Sequence, residues 1–104
     1  MDVKIAGGCS LDEVIILDDI NITEGAAEVL STAEIHIALF KHVNHDWGFA
    51  PDDVVRQNEE NVKGTGRVVS CFATSGGCPY MVATDVGEVN NTVIALESEI
   101  VNDL

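Results

Sequence analysis

The chain has 104 residues, with 18 Asp and Glu against 5 Lys and Arg, a net charge of −13 and 46% hydrophobic residues. That length reads as one domain, residues 1–104, and the hydrophobic fraction is too high for a disordered acidic tail. The charge excludes a basic nucleic-acid binder, since a phosphate backbone is repelled and not neutralised.

No apolar run approaches the roughly 20 residues that span a bilayer, so no membrane partner is expected. Residues 1–6, with an early acid at Asp2, do not read as a secretory signal. Cys9, Cys71 and Cys78 are odd in number and lack CxxC spacing, so they read as free thiols of a reducing cytosol. The acids are spread evenly: nine stand in residues 1–50 against Lys4 and Lys41, and nine in residues 51–104 against Arg56, Lys63 and Arg67. Neither an acidic tail nor an internal repeat divides the chain.

In chain order, the β-branched run Glu13–Asp18 predicts a strand. Thr23 then caps a short helix over 24–30. Ser31-Thr32-Ala33-Glu34 is a capping box, and the helix behind it places Ile35, Ala38, Leu39 and His42 on one face. That helix stops at or just before Gly48. Pro51 opens a third helix, with Asp52 and Asp53 at the positive end of its dipole. It ends at Gly64 or Gly66. Its inner face, Val54, Val55, Asn58, Asn61 and Val62, is thinly apolar. Residues 67–73, 80–84 and 92–96 are β-rich and separated by glycine turns, which predicts a three-stranded antiparallel meander. The fold class is therefore α+β: two or three helices packed on a small antiparallel sheet, with an N-terminal strand whose place is open.

The densest polar cluster is His42-Val43-Asn44-His45-Asp46-Trp47-Gly48. Two histidines and an aspartate suit acid–base work or metal binding. The competing reading makes His42 a buried, hydrogen-bonded histidine, Asp46 a cap on a backbone amide and Trp47 a core anchor. Asn58 falls on a face that should be apolar and needs a partner, such as His42, Asp46 or a loop carbonyl. Arg67 is expected to pair with Glu59 or Glu60. Ser70 has no histidine near it in sequence, so no nucleophile–base pair is legible. Gly64-Thr65-Gly66 and Ser75-Gly76-Gly77 are too short for phosphate loops and read as turns. No cofactor is implied.

From residue 23 onward the chain resembles a family of small plasmid-related proteins carried on plasmids, phages and other mobile elements. The resemblance starts with an H-x-x-x-D-W-G motif, here His42 to Gly48, and an acidic helix with an asparagine, here Asp53 through Asn58. It continues in a G-x-R-like element and a strand with a serine, which stand here as Gly66-Arg67-Val68-Val69-Ser70. Thr84-Asp85 and the strand Thr92–Leu96 complete it. Where the family commonly has an Asp-Arg pair before the last strand, this chain has Val86-Gly87-Glu88-Val89-Asn90.

The resemblance implies a mobile-element accessory protein, a class that often disarms host defence. The expectation is an anti-CRISPR or anti-restriction inhibitor that occupies the basic groove of a host defence nuclease or surveillance complex as an acidic mimic of nucleic acid. The acids expected to face that partner are Asp12, Glu13, Asp18, Asp19, Asp52, Asp53, Glu59 and Glu60. A small enzyme or metal-binding protein centred on His42, Asp46, Asn58 and Arg67 is the competing expectation, and a homodimer is a third.

Overall fold

A computed structural model of the chain describes residues 15–103. In order these form β1 (Asp19–Ile22), α1 (Glu24–Val29), α2 (Thr32–Val43), α3 (Asp52–Lys63), β2 (Gly66–Ala73), β3 (Pro79–Val86), β4 (Asn91–Leu96) and α4 (Glu97–Asp103). The α+β class is as the sequence predicts. The sheet differs in one respect: it is mixed and four-stranded, in the order β1-β4-β3-β2, with β1 parallel to β4. The meander β2-β3-β4 is antiparallel throughout.

Local chemistry sets the helix boundaries. Thr23 accepts the Ala26 amide and starts α1. Ser31 and Glu34 close the capping box of α2 in both directions. Pro51 precedes α3 as its N-cap, and Gly64 ends it. The first strand lies later than the Glu13–Asp18 expectation. Ile15 and Leu17 turn into the core, and Asn90 binds the chain at Ile16 and Asp18, so pairing with β4 begins only at Asp19. Glu13 and Val14 lie outside the described residues. The final helix, α4, was not expected from the sequence.

Alternation in the strands gives the sheet one face covered along its length; on the other, Ala95 is buried and Glu99 and Ile100 of α4 line a pocket with Met81, Ala83 and Val93. Val68, Ser70 and Phe72 of β2, Tyr80, Val82 and Thr84 of β3, and Thr92 and Ile94 of β4 are all buried on the first face. Two apolar clusters form on it. One joins Ala26, Leu30 and Ala38 to Phe72, Tyr80, Val82 and Ile94. The other joins Ile15 and Trp47 to Val68, with Val43, Val55 and Val62 packed around them. Each large aliphatic side chain removed from water on this face contributes roughly 1.5–3 kcal/mol.

Candidate functional site

The residues that the sequence singles out meet where α2 ends over the sheet. His42, in the last turn of α2, is fully buried. Its Nδ1 lies 2.6 Å from Ser70 Oγ and its Nε2 2.9 Å from Thr84 Oγ1. Thr84 Oγ1 is in turn 2.7 Å from Thr92 Oγ1, and Ser70 Oγ donates to the Asp46 carbonyl at 3.4 Å. A neutral imidazole has one donor and one acceptor. The arrangement that satisfies every member therefore runs one way: Thr92 donates to Thr84, Thr84 to His42 Nε2, His42 Nδ1–H to Ser70, and Ser70 to Asp46. This polar row crosses the covered face between the two apolar clusters. Burial, aided by the charge of His45, lowers the His42 pKa to about 4.

Sequence distance hid the Ser70–His42 pair, because 28 residues separate its members. Both side chains are fully buried. The pair thus holds two elements together and does not present a hydroxyl to a substrate.

The loop after α2 is shaped by two positive backbone angles, at His45 (φ 66°) and Gly48 (φ 65°). Asp46 Oδ1 accepts the Gly48 amide, so its carboxylate ties a turn as one of its sequence readings has it. A Cβ at Gly48 would strike the Cys71 carbonyl and the Phe72 ring, which explains glycine there. Trp47 is buried. Its indole N–H donates to Glu59 at 2.9 Å, and the His45 ring stacks on it with centroids 5.3 Å apart.

Asn58 meets neither His42 nor Asp46. Its amide instead accepts the Val69 N–H at 3.0 Å and donates to the Val69 carbonyl at 2.8 Å. It thereby completes the outer edge of β2 as a neighbouring strand would. The same edge receives Asn61 on the Arg67 carbonyl, and Trp47 and Phe49 backbone groups on Cys71. Arg67 pairs with Asp85 across β2 and β3 through two nitrogens, at 2.9 and 3.3 Å, and not with Glu59 or Glu60. That pair belongs to the other face of the sheet. The structure therefore brings His42, Asp46 and Trp47 together, sets Asn58 beside them on the strand edge, and places Arg67 apart. Among the described residues no three His, Cys, Asp or Glu side chains are grouped to hold a metal ion.

Of the acids expected at a partner surface, Asp19, Asp52, Asp53 and Glu60 are exposed. Asp18 is exposed and accepts the Asn90 amide. Glu59 is half-buried and engaged by Trp47 and by His45 at 3.4 Å. Asp12 and Glu13 lie outside the described residues.

One linking residue escaped the sequence reading. Glu99 of α4 accepts the Thr23 hydroxyl at 2.6 Å and the Gly25 and Leu96 amides, joining α4 to the start of α1. These bonds hold its carboxyl below the usual range, the Thr23 hydroxyl most of all. Cys71 and Cys78 are free thiols, and burial first, then Glu97, pushes the Cys71 thiol up. No helix among the described residues is long and apolar enough to cross a membrane. Comparison with protein-family models, with curated proteins and with solved structures finds no match to this chain.

Proposed function

We propose that this chain is an inhibitor of a host nucleic-acid defence system, of anti-CRISPR or anti-restriction type, that acts as an acidic mimic of nucleic acid. It occupies the basic groove of a nuclease or surveillance complex, is not an enzyme and uses no cofactor. The observation that carries this reading is a charge of −13 on a folded two-layer domain, with Asp19, Asp52, Asp53 and Glu60 exposed. Self-repulsion of that size works against a compact state, and its use is fast association with a positively charged partner. The motif resemblance to plasmid-related proteins points to the same class.

The test is a pull-down with the tagged chain from cells that carry CRISPR and restriction systems, eluted by a salt gradient. A defence complex released as salt rises is the expected result. Lysine substitutions at both Asp52 and Asp53 should weaken capture at least about tenfold, a loss of roughly 1.4 kcal/mol, while circular dichroism shows a retained fold. Capture unchanged by such reversals around the whole surface would remove the mimic reading.

A further inference from the structure

A groove of about 310 Å³ opens between α2 and the loop that carries Gly48 and Phe49. The rings of Phe72 and Tyr80, with centroids 5.8 Å apart, lie along it. Ile37 and Phe49 line it while 55% and 78% exposed. Exposed residues of that size around a hollow mark a contact surface better than isolated apolar side chains do. Two carboxylates, Glu34 and Asp46, also line it. Each gives one oxygen to its own backbone, Glu34 Oε1 to the Ser31 amide and Asp46 Oδ1 to the Gly48 amide. A cation already uses this place: Lys41 Nζ stands 5.8 Å from the centroid of the Phe72 ring.

We propose that the groove seats an arginine side chain of a basic protein partner, its guanidinium replacing the Lys41 ammonium over Phe72 and pairing with Glu34 or Asp46. Arginine fits better than lysine because its planar fork stacks on a ring and binds a carboxylate at the same time. A second copy of this chain is disfavoured as the occupant, since each copy brings a charge of −13. The inference rests on the reading above only in taking the partner to be a basic protein.

Its test uses the intact chain, titrated by NMR with a hexa-arginine peptide and, separately, with hexalysine. The arginine peptide should shift the amides of Gly48, Phe49 and Ala73 and bind at least about threefold more tightly, the yield of one exposed cation–π contact. Phe49→Ala should reduce that preference. Lys41→Ala should tighten arginine binding more than Lys63→Ala, which changes the net charge equally at the end of α3. Equal affinity for the two peptides, shifts scattered over the acidic surface, or equal effects of the two lysine variants would overturn the proposal. So would self-association abolished by Phe49→Ala, which assigns the groove to a second copy. Failure to capture a defence complex, with arginine preference intact, would overturn only the defence reading.

Discussion

His42 carries one hydrogen-bond donor and one acceptor into the covered face, and its neighbours use both. Protonation adds a second donor and a charge where neither is accommodated, which is why burial lowers its pKa from 6.5 to about 4. The unfolded chain binds the proton first. The stabilisation is therefore complete above about pH 6.5 and is lost as pH falls through about 4. A shift of that size corresponds to roughly 3 kcal/mol. Urea denaturation from about pH 7.5 to about pH 4.5 should show this decline, and His42→Gln should flatten it while lowering stability at neutral pH. An unchanged slope in that variant would assign the decline to other groups. The sequence reading that makes His42 a buried, bonded histidine is what the structure displays. Its partners were not legible, because Ser70 and Thr84 reach it only once strands 28 and 42 residues away are aligned.

At the scale of elements, Asn58 explains why the inner face of α3 looked thin. An amide on an otherwise apolar stripe has a defined task here: one helix side chain supplies the donor and acceptor that an edge strand lacks. The oddity was visible in the sequence, but the Val69 backbone groups that satisfy it carry no sequence signature. Asn58→Ala should destabilise the fold by about 1–3 kcal/mol, since two part-buried backbone groups lose their partner. Hydrogen exchange should show the Val69 amide losing protection before those of β3; protection that persists would mean another group covers the edge. Caps and turns were legible for the opposite reason. The Ser31–Glu34 box and the Thr23 cap are closed within three residues. Docking of α4 depends on Glu99 reaching Thr23 and Gly25, 76 and 74 residues away, and no local pattern announces it.

For the whole molecule, a net charge of −13 on 104 residues means that like charges repel one another throughout the fold. Added salt screens that repulsion, with a Debye length of about 10 Å at 0.1 M. Raising sodium chloride from about 0.01 M to about 0.5 M should therefore raise Tm by roughly 5 °C. A Tm that stays constant or falls would show that ion pairs such as Arg67–Asp85 outweigh the repulsion. The α+β class was legible because helix caps and strand alternation are local. The position of β1 was not: its Asp-Ile-Asn-Ile alternation is only four residues long and stands beside the longer apolar run that ends at Leu17.

The parallel pairing of β1 with β4 joins segments 72 residues apart. Closing so long a loop is expected late in folding, after the meander forms from its own short turns. Until it closes, β4 presents a vacant edge that accepts the first strand of any copy of this chain. Which copy supplies that strand is decided by concentration and charge. The acids proposed to meet a basic partner would also work against such an exchange, because two half-folded copies repel one another.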